Sequence, residues 1–158
     1  MGEMAAFDFA AECYKAERAA LRLIATAEQN TVGLTAKLKY RRFDSAVSKA
    51  VVSRLAEQNL LDDGRYAELW IHARLAVRKP PTPQWLLAAL LKRGIDRKLS
   101  IQALNKALDE ETEYELLLKY LEKGKFPNDK KVFFLRAHLK YEGFSPAILD
   151  RYFEEAHT

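Results

Sequence analysis

Basic side chains recur at helical spacing in two parts of the sequence. The first cluster consists of Lys37, Lys39, Arg41 and Arg42. The second consists of Arg74, Arg78, Lys79, Lys92 and Arg93, with no acid between its first and last members. Side chains four residues apart, as in the pairs Lys37 with Arg41 and Arg74 with Arg78, share one face of a helix. Each cluster is therefore suited to bind polyphosphate or an acidic protein groove, through contacts that weaken steeply as salt rises.

The same charges also have a structural explanation. Cations near a helix C-terminus complement the helix dipole, by about 0.3–1 kcal/mol each, and Asp62 and Asp63 are suited to cap the helix that follows them. Arg65 has two interpretations, because its guanidinium can pair with Asp62 or reach a partner. The acidic segment from Asp109 to Glu122 can be a solvated face or a contact for a basic partner. The sequence alone leaves each basic cluster open as a solvated face or a binding surface.

No residue pattern indicates catalysis or metal binding. The histidines, His72, His138 and His157, are isolated from cysteines and from paired carboxylates at metal-ligand spacing. Neither a glycine-rich phosphate loop nor a nucleophile elbow occurs, and Cys13 is the one cysteine of the chain and is interpreted as packing. We therefore expect no enzyme activity, no catalytic residue, no metal and no cofactor.

Composition places the chain among globular proteins. Its 158 residues are 49% hydrophobic and carry a net charge of +4. The start of the chain lacks the pattern of a secretory signal, and no apolar run approaches the roughly 20 residues of a membrane span. We expect a cytoplasmic protein that does not contact membranes and acts as a monomer.

The elements that carry the basic clusters are predicted to be helices, about nine of them between Ala16 and Ala156. Glycines and prolines fall between periodic segments, and residues that favour helix starts recur. The predicted starts are Thr31, Asp44 or Ser45, Asp62 or Asp63, Thr82 with Pro83, Asp96, Asn128 or Asp129, and Ser145 with Pro146. Aromatic residues at helical spacing are predicted to lie in the core; they are Trp70, Trp85, Phe133, Phe134, Tyr152 and Phe153.

Three segments of the chain align with one another. Superimposing Phe43, Ile95 and Phe144 brings "LTAKLKYRRFDSAV", "LLAALLKRGIDRKL" and "LRAHLKYEGFSPAI" into register, at offsets of 52 and then 49 residues. Each segment has leucines four apart on one helix face, an apolar residue after the turn and a capping residue for the next helix. The sequence therefore predicts an all-α fold of three tandem, helix-turn-helix-like three-helix repeats in an elongated, curved arrangement. The predicted boundaries are an N-terminal extension at 1–15 and repeats at 16–61, 62–108 and 109–158.

The middle of the chain resembles the RecX family, bacterial modulators of the RecA recombinase. The family's "GLLDDxRFAExYVxxR" pattern corresponds here to "NLLDDGRYAELWIHAR", from Asn59 to Arg74, and its "LxxKGI" pattern corresponds to "LLKRGI", with Arg93 in place of lysine. The resemblance extends from Ala16 onward. It departs after Arg78, where "RKPPTPQWLL" replaces the family's glycine and arginine ahead of an isoleucine, so that arginine's role is not carried over.

The resemblance implies a partner and a mode of action. A RecX protein is expected to lodge in the groove of the RecA filament on single-stranded DNA and to limit strand exchange and ATP hydrolysis, in DNA repair, recombination and the SOS response. Its contact with single-stranded or duplex DNA is expected to be weak. The candidate binding residues are Lys37, Lys39, Arg41, Arg42, Arg65, Arg74, Arg78, Lys79, Lys92 and Arg93.

Two other functions remain compatible with the sequence. One is direct DNA binding, with the helix from Lys37 to Arg42 or from Lys92 to Arg97 in the major groove, although few side chains there suit base edges. The other is a helical scaffold that binds another protein through its repeats.

Overall fold

The structure is a computed structural model that describes residues 2–124 and 132–156. Within these residues it contains nine α-helices and no strand, which confirms the predicted all-α fold. The helices are α1 Gly2–Thr26, α2 Thr31–Tyr40, α3 Ser45–Glu57, α4 Asp63–Leu75, α5 Pro83–Lys92, α6 Arg97–Ala107, α7 Glu110–Lys123, α8 Val132–Tyr141 and α9 Pro146–Glu155. The first helix begins at Gly2 rather than at Ala16, so the stretch predicted as an extension is the start of α1.

Helix starts follow side-chain acceptors, as the sequence indicates. Asp44, Asp96 and Ser145 each accept a hydrogen bond from a backbone N–H of the helix they precede. At α2 the cap is Asn30 rather than the predicted Thr31, because the Asn30 amide oxygen accepts from Gly33 N. The predicted start at Asn128 or Asp129 lies outside the described residues.

The chain forms two compact units. Unit 1 comprises Met1–Tyr66 with Arg93–Ile95, and unit 2 comprises Ala67–Lys92 with Asp96–Thr158. In unit 1, apolar side chains of α1, α2 and α3 pack together around Leu34, Leu38 and Leu55, which are fully buried. In unit 2, Leu117 of α7, Leu139 of α8 and Ile148 of α9 belong to one buried cluster. The predicted repeat boundaries remain a prediction about sequence organisation.

The three aligned segments share one backbone turn. Arg42, Gly94 and Gly143 precede the superimposed apolar residues, and they have φ angles of 71°, 85° and 93°. In the first and third segments the turn is closed in the same way, since Phe43 N donates to Leu38 O and Phe144 N donates to Leu139 O. The leucines before the turns, Leu38, Leu90 and Leu139, are completely buried. The sequence alignment therefore describes a local structure that occurs three times.

Two of these turns also pack closely against an earlier helix start. A Cβ added to Gly94 would lie 2.7 Å from Val32 Cβ, and one added to Gly143 would lie 2.8 Å from Gln84 N. Val32 and Gln84 are 52 residues apart, and the two glycines are 49 apart, which are the offsets of the sequence repeat. The same approach of a turn to the preceding repeat thus recurs within each unit.

The aromatic residues divide between core and surface. Phe153 is buried, and Trp70 and Tyr152 are half-buried. Trp85, Phe133 and Phe134 are 51%, 78% and 66% exposed, so the prediction that they lie in the core is wrong. Helical spacing identifies the face on which an aromatic residue lies, and it carries no information about whether another element covers that face.

Candidate functional site

A polar cleft in unit 1 lies beside the start of α2. Gln29 and Asn30, just before this helix, are buried, and each forms side-chain hydrogen bonds. Gln29 Nε2 donates to the carbonyls of Leu23 and Ala27 at 3.3 and 3.2 Å. These bonds fix the polypeptide between α1 and α2, which therefore presents a defined polar wall to the cleft.

Asp63 of α4 is hydrogen-bonded to Thr31, the first residue of α2. Its two carboxylate oxygens accept from Thr31 N and Thr31 Oγ1, both at 2.8 Å. Its neighbour Asp62 has the predicted capping role, since its carboxylate accepts from Arg65 N at 3.0 Å. Two adjacent acids therefore stabilise the first turns of two different helices, α2 and α4.

Two predicted cations line the cleft. Lys37 Nζ donates to Gln29 Oε1 at 2.7 Å, and the Arg93 guanidinium donates to Tyr66 Oη at 3.3 Å. The cleft encloses about 250 Å³, with Glu28 also on its wall. Both cationic side chains are exposed, so the cleft combines two cations with the Glu28 carboxylate and the Tyr66 hydroxyl.

Arg65 joins this site through Glu28. Its Nε lies 2.6 Å from Glu28 Oε1, and the hydrogen bond that it donates to this carboxylate raises the pKa of the guanidinium above its already high value. The sequence offered Asp62 as the ion-pair partner, and this interpretation is wrong for the side chain, because the Asp62 carboxylate caps the backbone instead. Both partners are partly exposed, so solvent screens the pair and its contribution to the stability of the fold is small.

The remaining members of the first cluster lie at and beyond the end of α2. The helix ends at Tyr40; Arg41 is its C-cap, and Arg42 adopts the positive φ of the turn. Lys39 lies on the wall of a separate groove, together with Lys49 of α3. The cluster therefore divides between two surfaces of unit 1.

The segments proposed as recognition helices are not single helices. From Lys37 to Arg42 the chain includes the end of α2 and a turn, and from Lys92 to Arg97 it includes the last residue of α5, a turn and the first residue of α6. Neither segment is helical throughout, and Lys37 and Lys39 lie on the continuous helix α2, so major-groove binding by one of these helices stays a prediction.

One member of the second cluster, Arg74, lies beside a pair of tryptophans in unit 2. The rings of Trp70 and Trp85 stack with centroids 6.1 Å apart and planes 11° apart, and the Arg74 guanidinium lies 5.2 Å from the Trp70 centroid. Arg78 and Lys79 were predicted to continue the helix of Arg74, but α4 ends at Leu75 and both lie in the segment before α5. Lys92 is the last residue of α5 and, like Arg74, Arg78 and Lys79, is exposed.

Much of the acidic segment takes part in the packing of unit 2. Arg151 of α9 lies 2.9 Å from Glu111 and 3.5 Å from Glu110. The buried Glu113 carboxylate accepts from Ser145 N at 2.7 Å and from Ser145 Oγ at 3.1 Å. Glu110, Glu111 and Glu113 therefore hold α7 to α9. For these three acids the structural role replaces the choice between a solvated face and a contact for a basic partner.

The described residues contain no group of His, Cys, Asp and Glu side chains arranged to hold a metal ion. His138 instead shares a hydrogen bond of 2.8 Å with Tyr120 Oη; His157 lies outside the described residues. None of the described helices is long and apolar enough to cross a membrane.

Sequence reasoning missed the residues that complete these surfaces. Glu28, Gln29 and Tyr66 organise the cleft, and Lys49 adds a cation beside Lys39. Glu28 and Arg65 are 37 residues apart, so no local signal connects them. One feature of the sequence indirectly indicates that Trp85 is exposed: it lies in the first turn of a helix that follows Pro80 and Pro81.

Comparison with known proteins finds individual relatives and solved structures that are similar to this chain. No protein-family model matches the chain. The chain is 34% identical over 147 residues to regulatory protein RecX of Treponema pallidum strain Nichols, an alignment covering 90% of this chain and 86% of that protein. It is 30% identical over 146 residues to regulatory protein RecX of Thermobifida fusca, an alignment covering 89% of this chain and 78% of that protein. The crystal structure of RecX from Lactobacillus salivarius has the same fold, with a TM-score of 0.70, 22% identity and coverage of 92% of this chain and 97% of that one.

Proposed function

The chain belongs to the RecX family of regulatory proteins, and from this premise we propose that it binds the RecA–DNA filament and limits strand exchange and ATP hydrolysis. The observation that carries the proposal is the alignment over 90% of the chain with a regulatory protein RecX. Such a protein works in the cytoplasm, where it takes part in DNA repair, recombination and the SOS response.

The proposed contacts are the exposed cations. Lys37 and Arg93 line the cleft of unit 1 and Arg65 is paired with Glu28 on its wall, so a phosphate or a carboxylate of the filament would meet several donors there. In unit 2 the donors are Arg74, Arg78, Lys79 and Lys92. The remaining proposed contacts, Lys39, Arg41 and Arg42, lie around the end of α2.

The proposed action is binding alone. We propose that the protein acts as a monomer and without a cofactor, through ten cations that are all exposed. Regulation then follows from differential affinity: a protein that binds the filament interior or its end shifts RecA away from the growing, ATP-hydrolysing form.

The test is RecA's DNA-dependent ATPase activity, measured with single-stranded DNA while this protein is titrated. We expect inhibition at amounts well below or near those of RecA. Unchanged hydrolysis across a wide titration contradicts the proposal. The duplex-binding alternative gives a different outcome, namely selection of one duplex sequence over competitor DNA with no effect on RecA.

A further inference from the structure

Trp85 is a large aromatic side chain held at the surface of unit 2. It is 51% exposed although its ring stacks on Trp70 at 6.1 Å. Indole is among the largest apolar side chains, so leaving half of it in water forgoes stabilisation that burial would give. The stacked pair, with Arg74 over Trp70, therefore forms an aromatic surface beside a cation, at which half of the Trp85 side chain is exposed.

The helix start that carries Trp85 is firmly anchored. The buried Thr82 accepts from Trp85 N through its hydroxyl at 3.2 Å. The backbone N–H of the preceding residue, Gln84, donates to Glu142 O at 2.9 Å, and Gly143 packs directly against Gln84 N. A ring presented from an anchored backbone loses little conformational entropy when a ligand binds to it.

The chain around the tryptophans is positively charged. From Leu69 to Ile95 the sequence has no acid, and Arg74, Arg78 and Lys79 are all exposed. Pro80 and Pro81 follow these cations and restrict the backbone that joins them to Trp85. An aromatic surface beside cations on a stiff segment has the two components of a single-strand binding site, which are a ring for a base and donors for phosphates.

We propose that Trp85 stacks on an unpaired base of single-stranded DNA while Arg74, Arg78 and Lys79 contact the neighbouring phosphates. This inference depends on the proposed function only for the choice of DNA as partner, and RecA takes no part in the contact. Single-stranded DNA fits better than a duplex, whose bases are covered by their own stacking. It fits better than an acidic protein segment, because carboxylates would use the cations and leave the indole unoccupied.

The experiment compares two oligonucleotides that differ only in their bases. The full chain, without RecA, is titrated with an oligothymidylate and with an abasic strand of equal length and charge, both labelled for fluorescence anisotropy. We expect the oligothymidylate to bind at least about fivefold more tightly, the lower end of what one stacked base contributes. Because the chain has two tryptophans and both belong to this pair, quenching of intrinsic fluorescence reports on the same contact.

Variants at Trp85 separate stacking from general attraction. We expect Trp85→Leu to abolish the preference for oligothymidylate while leaving affinity for the abasic strand unchanged, and Trp85→Phe to keep part of the preference. Phe133→Leu removes another exposed aromatic side chain and is the matched control, with helicity checked by circular dichroism.

Four results would overturn the inference. They are a preference that survives Trp85→Leu, an equal decrease in affinity for both strands, tighter binding to duplex of the same length, and no binding to either strand. If the chain binds neither strand yet still inhibits RecA, the proposed function stands and only the proposed stacking on a base fails.

Discussion

Asp62 and Asp63 show how much of a residue's role depends on distant partners. The sequence predicts that both cap the helix that follows them, and Asp62 has that role. Asp63 instead accepts two hydrogen bonds from Thr31, 32 residues earlier in the chain. Since a carboxylate has several acceptor positions, its type and place in the sequence do not determine which donors it will meet.

Glu155 provides a prediction about acid stability. The Tyr114 hydroxyl and then Arg151 donate to its carboxylate and hold the pKa of Glu155 below the ordinary value of 4.5. A lowered folded-state pKa gives stability that is present above the ordinary value and is lost as the pH falls through the folded-state pKa. We expect Glu155→Gln to lose less stability than the unmodified protein between neutral pH and about pH 3, as measured by urea unfolding.

The neighbouring Glu154→Gln is the control for that experiment, because it removes the same charge from an exposed position of the same helix. It should lose stability in acid to the same extent as the unmodified protein. Equal acid losses in all three proteins would mean that the Tyr114 and Arg151 contacts do not couple Glu155 to folding.

At the scale of elements, the repeated turn is the feature with the clearest energetic consequence. Arg42, Gly94 and Gly143 occupy aligned positions with positive φ, and one of the three carries a side chain. Asn59, where the RecX pattern has glycine, also has a positive φ of 60° at the end of α3. Left-handed backbone is a routine conformation for glycine, is tolerated by asparagine and is unfavourable for most other residues.

Substitutions at the aligned positions should therefore have opposite effects. We expect Gly94→Ala to destabilise the protein by about 1–3 kcal/mol, because the new Cβ is strained by its φ and would lie 2.7 Å from Val32 Cβ. We expect Arg42→Gly to leave stability unchanged or raise it by up to about 1 kcal/mol. Denaturant unfolding followed by circular dichroism measures both, and equal losses in the two variants would show that the turns are not equivalent.

The elements were more predictable than the surfaces they form. Asp44, Asp96 and Ser145 begin helices as predicted, because the acceptor and the donors it satisfies are within three residues of each other. The cleft was not predictable, since it depends on pairs such as Glu28, in the segment before α2, with Arg65 of α4, which meet only in the folded chain. The prediction that Trp85 lies in the core is wrong because periodicity does not reveal which helix faces remain uncovered.

At the scale of the whole molecule, the distribution of charge is more informative about binding surfaces than the net charge. The total of +4 is modest, yet in unit 1 Lys37 and Arg93 line one cleft and Arg65 is paired with Glu28 on its wall. Unit 2 has its own exposed group in Arg74, Arg78 and Lys79, and its acids are partly neutralised by Arg151. Two local groups of cations are the arrangement expected of a protein that meets a polyanion at more than one point.

Charge reversal in unit 2 tests whether position or total charge governs binding to the filament. We expect Arg74→Glu, Arg78→Glu and Lys79→Glu together to leave the helicity unchanged and to weaken binding to RecA filaments on single-stranded DNA. If these cations meet phosphates, the slope of log affinity against log salt falls by about 0.7 for each phosphate that is no longer neutralised. The matched control reverses Lys15, Arg18 and Arg22, three exposed cations of α1, and should weaken binding far less. Equal weakening by both triple variants would mean that the partner senses only net charge, and the assignment of a binding surface to unit 2 would then fail.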